Sequence, residues 1–87
     1  MPLEDDFTSA QTRIRALPRT PSNDDLLALY GLYKQATAGD VAGARPGMLD
    51  FRGRAKYDAW TARRGMAKEQ AMQSYVEIVG KLVERYR

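Results

Sequence analysis

The most constraining feature of the 87-residue sequence is a long apolar stripe near its C-terminus. Its members are Met72, Tyr75, Val76, Val79, Leu82, Val83 and Tyr86. They repeat at alternating spacings of three and four residues. Residues at these spacings share one face of an α-helix. The stripe therefore predicts a final helix, about four turns long, with one face buried against other elements of the chain.

Two further helices are predicted in the N-terminal half. The apolar stripe of the first consists of Phe7, Ala10, Ile14 and Leu17. Pro18 and Pro21 end that helix, because proline lacks the amide hydrogen that a further turn needs. The second helix is predicted to start after Ser22, a capping residue, and to run to about Thr37, where Gly39 can end it.

A stretch rich in glycine and proline follows, from residue 39 to about residue 52. It lacks apolar periodicity and predicts a long ordered loop that can cross the molecule. A third helix is predicted from about Gly53 to Arg64, closed by Gly65. We expect its inward side chains to be Ala55, Ala59 and Trp60, with Trp60 in the core.

These elements define the predicted fold class. The chain is expected to be all-α: a compact four-helix bundle with a long crossover loop between helices two and three. Its length suits one domain with a modest core, so we predict a single domain over residues 1–87.

Composition excludes several classes of function. The sequence contains no cysteine and no histidine, so thiolate zinc sites are ruled out, and the commonest general base and metal ligand are missing. It has no phosphate-binding glycine loop and no nucleophile elbow. We therefore predict no catalytic residue, no metal, no cofactor and no enzymatic activity.

The cellular location is predicted from the length of the apolar runs and from the N-terminal sequence. No apolar run approaches the roughly 20 residues of a membrane span, and the acidic start MPLEDDFTSA is unlike a signal peptide. We expect a cytoplasmic monomer without stable membrane insertion.

Basic charge is concentrated in the second half of the chain. The formal net charge is +3, and six cations lie between residues 45 and 64 against two carboxylates. The cations are Arg45, Arg52, Arg54, Lys56, Arg63 and Arg64. This concentration favours an anionic partner, although a solvated face explains such charge equally well.

The segment YGLYKQATAGD, residues 30–40, places two phenol rings and an ammonium group on one helical face. They belong to Tyr30, Tyr33 and Lys34, at positions i, i+3 and i+4. Tyrosine stacks on a purine through its ring while its hydroxyl reaches phosphate or ribose. Tyr30 taken alone is also explained as core filling, because it continues the stripe from Leu26, and Tyr75 belongs to the final stripe.

Two motifs carry a resemblance. YGLYKQATAGD and RPGMLDF (residues 45–51), at their separation, together with RGRAKYDAW (residues 52–60) and KEQAMQSYVEIV (residues 68–79), strongly resemble the acyl-CoA-binding protein family. The resemblance extends from Phe7 to Tyr86. It implies a bundle of four helices that binds long-chain acyl-CoA thioesters reversibly, without covalent chemistry.

The resemblance also implies roles for individual residues. Lys34, Lys56 and Tyr75 match ligand contacts of the family, and Arg15 and Arg52 occupy two further basic positions. With the paired tyrosines, the candidate ligand-binding residues are Arg15, Tyr30, Tyr33, Lys34, Arg52, Lys56 and Tyr75. The candidate acyl-chain trough consists of Phe7, Ala10, Leu26 and Leu27. Without the resemblance, Arg15 would be interpreted as a solvated charge and the trough residues as ordinary core.

Departures from the family pattern lie outside these contacts. Leu32 and Tyr57 stand where many members have histidine and tryptophan, and Met66 with Ala67 replaces the usual capping serine or threonine before helix four. We predict a non-catalytic intracellular carrier of medium- to long-chain acyl-CoA with no nucleic-acid partner. The alternative is a basic helical nucleotide- or nucleic-acid-binding module.

Overall fold

The computed structural model describes residues 2–87, which form four α-helices and no strand. The helices are α1 (Leu3–Arg15), α2 (Asn23–Ala38), α3 (Phe51–Thr61) and α4 (Lys68–Tyr86). Helix α1 packs on α4, α4 on α2, and α2 on α3. The predicted four-helix bundle with a long loop between the second and third helices is confirmed.

Most helix ends follow the capping that the sequence predicts. The Ser22 hydroxyl accepts the backbone N–H of Asp25 at 3.2 Å and starts α2, and Gly39, with φ of +84°, ends it. Helix α4 starts after Ala67, which provides no side-chain cap. Helix α1 starts earlier than its apolar stripe, at Leu3, because three carboxylates in its first turn complement the positive end of the helix.

Helix α3 begins and ends earlier than predicted. Its start is set by Asp50, whose Oδ1 accepts the backbone N–H of Gly53 at 2.9 Å. After Thr61 the chain continues as tight turns, with hydrogen bonds between residues three apart, and it reverses at Gly65, where φ is +88°. The predicted limits of Gly53 and Arg64 are therefore wrong by two or three residues, because the cap lies inside the stretch whose glycines and prolines predict a loop.

Only three of the helices build the hydrophobic core. Its buried members are Phe7, Ala10, Leu29, Leu32, Ala36, Ala71, Tyr75, Val79 and Leu82, all from α1, α2 and α4. Helix α3 has no buried residue. The assignment of Trp60 to the core is therefore wrong, since its ring is only half-buried against α2.

Polar contacts and one close backbone approach hold α3 and the loop in place. Trp60 Nε1 donates to the carbonyl of Gly39 at 2.8 Å, and the Tyr57 hydroxyl donates to the carbonyl of Gly43 at 2.9 Å. A Cβ at Gly31 would overlap the carbonyl oxygen of Ala59, so this contact between α2 and α3 requires glycine.

A buried amide ties the ends of three helices together. Gln35 is fully buried, and its Nε2 donates to Asp40 Oδ1 and to the carbonyl of Met66, both at 2.8 Å. Asp40 Oδ1 also accepts the backbone N–H of Gly65 at 2.8 Å. This last bond, with the one from Gln35, holds the pKa of Asp40 below its ordinary value of 3.8.

Candidate ligand-binding site

An open groove of about 490 Å³ lies between α2 and α3. We call it the α2–α3 groove. Its walls come from one face of each helix: Asn23, Leu26, Leu27 and Tyr30 from α2, and Phe51, Arg52, Ala55 and Lys56 from α3. The helical spacings explain both walls, because residues three, four and seven apart share a face. The groove therefore combines apolar side chains with two cations and one phenol.

A second groove, of about 260 Å³, adjoins the first along Leu26 and Tyr30 of α2, which we call the ridge. We call this second groove the α1–α2–α4 groove. Its lining is Gln11, Ile14, Arg15, Leu26, Leu29, Tyr30, Tyr33 and Tyr75. Leu26 and Tyr30 line both grooves, so the two openings meet along these side chains. A further depression of about 260 Å³ continues from Ile14 and Arg15 toward Arg19 and the prolyl turn before α2.

Both lysines of the predicted site lie over aromatic rings. Lys56 Nζ is 5.3 Å from the centroid of the Tyr30 ring, and Lys34 Nζ is 4.8 Å from the centroid of the Trp60 ring. Both distances are in the range of cation–π attraction. Lys56 is thus held at the ridge between the grooves, whereas Lys34 lines neither of them.

An aromatic cluster sits beneath the α1–α2–α4 groove. The Phe7 ring stacks near that of Tyr33, with centroids 6.0 Å apart, and meets the Tyr75 ring edge-on at 5.0 Å. These contacts fix the orientation of both tyrosines. Burial raises the pKa of Tyr75, although the nearby Arg15 charge opposes that change. The phenol stays protonated near neutral pH and can donate a hydrogen bond.

The structure brings most, but not all, of the predicted site residues together. Arg52 and Lys56 line the α2–α3 groove together with Leu26 and Leu27. Arg15, Tyr33 and Tyr75 line the α1–α2–α4 groove, and Tyr30 lines both. The exceptions are Lys34, which is packed on Trp60, and the pair Phe7 and Ala10. That pair is buried in the core and lines no open surface.

Sequence reasoning missed several lining residues. Asn23, Phe51 and Ala55 belong to the α2–α3 groove, and Gln11 and Ile14 to its neighbour. A signal for Phe51 and Ala55 was present in the sequence. Once Asp50 is taken as the cap, Phe51 and Ala55 are four apart on α3, as are Arg52 and Lys56, so two adjacent rows of the helix face the groove.

Among residues 2–87, the acidic residues do not gather into any group of three or more that could hold a metal ion. None of the helices in this range is long and apolar enough to cross a membrane.

Comparison with known proteins identifies the family. The sequence profile of the family described as "Acyl CoA binding protein" matches residues 4–79. The acyl-CoA-binding protein of Gossypium hirsutum is 49% identical over 84 residues, which are 97% of this chain and 94% of that protein. The acyl-CoA-binding protein of Brassica napus is 48% identical over 84 residues, covering 97% of this chain and 91% of the relative.

Solved structures agree with the sequence matches. The crystal structure of Oryza sativa Acyl-CoA-Binding Protein 2 superposes with a TM-score of 0.91 at 46% identity, covering 95% of this chain and 90% of that one. The acyl-CoA-binding protein of Moniliophthora perniciosa gives a TM-score of 0.83 at 40% identity, with 93% and 83% covered. These matches give no support to the nucleic-acid alternative. The chain belongs to the acyl-CoA-binding protein family.

Proposed function

We propose that the protein binds acyl-CoA thioesters reversibly and carries them in the cytoplasm without catalysing a reaction on them. Besides family membership, one observation supports this function. The α2–α3 groove joins the apolar side chains of Leu26, Leu27 and Phe51 to Arg52, Lys56 and the Tyr30 ring. Such a surface suits an amphiphile with a polyanionic nucleotide at one end and a hydrocarbon chain at the other.

The nucleotide end is proposed to lie on the ridge where the grooves meet. The rings of Tyr30 and Tyr33 offer faces for adenine, and Lys56, over the Tyr30 ring, brings a positive charge to the same place. Arg15 and Arg52 flank this position from the two sides and suit the pyrophosphate. Tyr75, protonated, is proposed to donate a hydrogen bond to the ligand.

Lys34 is proposed to join Lys56 at the 3′-phosphate, which requires its ammonium group to leave the Trp60 ring. That ring is the single indole of the sequence, so the movement gives an optical signal. We expect the fluorescence of Trp60 to change on binding of acyl-CoA and to change less in a Lys34→Ala variant.

The acyl chain is proposed to lie along Leu26 and Leu27, which line open space. Phe7 and Ala10, also proposed for the trough, are buried in the core and line none of the grooves. Their contribution is therefore expected to be indirect. Phe7 contributes through its ring contacts with Tyr33 and Tyr75.

Titration calorimetry against acyl-CoAs of increasing chain length tests the proposal. Each methylene removed from water contributes about 0.8 kcal/mol, so two more carbons should tighten binding about tenfold until the trough is full. The heat-capacity change should be negative. Free CoA and free fatty acid, each lacking one half of the ligand, should bind much more weakly. An affinity that does not change between chains of about eight and sixteen carbons would contradict apolar burial of the chain.

Lysine variants test the phosphate assignment. Lys34→Ala and Lys56→Ala should each cost about 1.5–3 kcal/mol of binding free energy, the range for hydrogen bonds to charged groups. Lys81→Ala is the matched control, because Lys81 is an exposed lysine on α4 that lines none of the grooves. The loss should largely disappear with acyl-dephospho-CoA. An equal loss with both ligands would assign these lysines to another part of the molecule.

The absence of catalysis is tested by incubating the protein with a long-chain acyl-CoA and assaying free thiol. We expect no thiol release above the rate without protein. Release that depends on protein concentration would make the chain an enzyme.

A further inference from the structure

A small apolar tip projects from the loop between α2 and α3. Its members are Met48 and Leu49, 75% and 91% exposed, and we call them the loop tip. Neither lines any of the three depressions described above. Phe51, 76% exposed, follows them and forms one edge of the α2–α3 groove. The loop tip is therefore an apolar surface outside the proposed binding site but next to its mouth.

The loop tip has a defined backbone. The N–H of Asp50 donates to the carbonyl of Gly47 at 3.0 Å and closes a turn around Met48 and Leu49. Further back, Arg45 pairs with Asp58 of α3 at 2.7 Å. The two exposed apolar side chains thus lie on a folded loop that is bonded to α3 on both sides of the turn.

The sequence on either side of the loop tip carries more positive than negative charge. Residues 43–58 contain four cations, Arg45, Arg52, Arg54 and Lys56, and two carboxylates. The Arg45–Asp58 ion pair cancels one charge of each sign, and Asp50 caps α3. The remaining cations are Arg52 and Lys56, which line the α2–α3 groove, and Arg54. Exposed apolar side chains next to cationic ones are complementary to a surface with negative charge at its outer boundary and an apolar layer just beneath.

We propose that the loop tip docks the protein on the surface of an anionic lipid bilayer, with Met48 and Leu49 entering the headgroup region. Anionic leaflets attract nearby lysine and arginine side chains, and apolar side chains that enter the headgroup region strengthen the binding. A protein partner fits less well, because the loop tip and Phe51 together expose on the order of a few hundred Å², against about 800 Å² per partner in a stable interface.

Docking of this kind is reversible and differs from insertion of a helix. One small apolar contact with a few charges gives only marginal binding, and stable anchoring needs a second signal. The inference goes beyond the proposed function. It has a consequence for that function, because acyl-CoA is an amphiphile that partitions into bilayers, and docking would bring the mouth of the α2–α3 groove to that surface.

Vesicle flotation of the full chain, without acyl-CoA, tests the inference. We expect it to float with vesicles of phosphatidylcholine mixed with phosphatidylserine, weakly or not with phosphatidylcholine alone, and less at high salt. The double variant Met48→Gln with Leu49→Gln should weaken binding by on the order of tenfold. Leu49→Trp should strengthen it, with a blue-shifted emission on docking.

The matched control is Ala42→Gln with Ala44→Gln, two exposed positions in the same loop, which should float like the parent. Equal flotation of parent and loop-tip variant, or no flotation of the parent, would overturn docking by the tip. So would a parent that sediments as a dimer when the loop-tip variant is a monomer, because the occupant would then be a second copy. The calorimetric affinities for acyl-CoA would be unaffected by such a failure, so the two proposals are tested separately.

Discussion

The α1–α2–α4 layer and the α3 region are held together by different forces. The first contains every buried member of the hydrophobic core among residues 2–87, whereas α3 has no buried residue and is held, with the loop before it, by polar bonds and one close backbone contact. Yet α3 supplies half of the α2–α3 groove. Stability is therefore expected to reside mainly in the core layer, while the shape of the groove depends on α3, which adds no buried side chain to that core.

The largest expected difference is in the cost of removing an apolar side chain from each region. Leu32→Ala, at a fully buried position on α2, should lower the free energy of unfolding by about 2–5 kcal/mol, through lost burial and a cavity. Leu49→Ala, at a 91% exposed position, should change it by less than about 0.5 kcal/mol. Urea unfolding of the two variants measures both, and similar costs would contradict the division of the molecule.

The next largest change in stability is expected at the close backbone contact between α2 and α3. Gly31→Ala places a methyl group against the Ala59 carbonyl and should destabilise the protein by about 1–3 kcal/mol, as overpacking does. It should also weaken acyl-CoA binding, because α3 must move. Gly80→Ala, a helical glycine with open space around its Cβ position, should be neutral or stabilising by about 0.5–1 kcal/mol. Equal behaviour of the two variants would show that α3 tolerates displacement.

A smaller effect should follow from removing one polar bond of the α3 region. Trp60→Phe deletes the hydrogen bond to the Gly39 carbonyl and should cost about 0.5–1.5 kcal/mol of unfolding free energy. Tyr57→Phe deletes an exposed bond to Gly43 and should cost an amount near the lower limit. Thermal unfolding compares them. If neither changed the melting temperature, other contacts would hold α3.

The smallest effect is a change of stability with pH. Hydrogen bonds from Gly65 and Gln35 lower the pKa of Asp40, and those from Arg45 lower that of Asp58. Because the pKa of each group is lower in the folded state, both groups stabilise the protein at pH values above 3.8, the ordinary pKa of an aspartate. This stabilisation is lost as the pH falls through the folded-state pKa. Asp40→Asn keeps an acceptor oxygen and should flatten the acid limb. An unchanged limb would mean that Asp40 contributes no such dependence.

Much of the fold was predictable because its signals are local. The apolar period of α4, the Ser22 cap and the Gly39 stop each act within a few residues, and the structure confirms all three. The predicted α3 boundaries are wrong because the glycine- and proline-rich composition around Asp50 predicts a loop there. The capping role of Asp50 depends on Gly53, three residues later, and that spacing is visible in the sequence.

The candidate site was predictable only in part, for the same kind of reason. Motif and spacing named Tyr30, Arg52 and Lys56, which the structure brings to one groove. The same methods could not separate Phe7, which is buried, from Leu26, which is partly open. Both lie on apolar stripes, and a stripe reports which face of a helix is buried without reporting what covers each residue.

By itself the sequence determined the four helices, their all-α packing and the residues that carry charge and aromatic rings. The tertiary structure alone decided that α3 stays outside the core, that Lys34 lies over Trp60, and that Met48 and Leu49 face outward. Helix formation and capping depend on neighbours along the chain, which a sequence displays. Burial and long-range contacts depend on segments that meet only after folding, and their outcome is settled by which surfaces can approach, as Gly31 allows α3 to do.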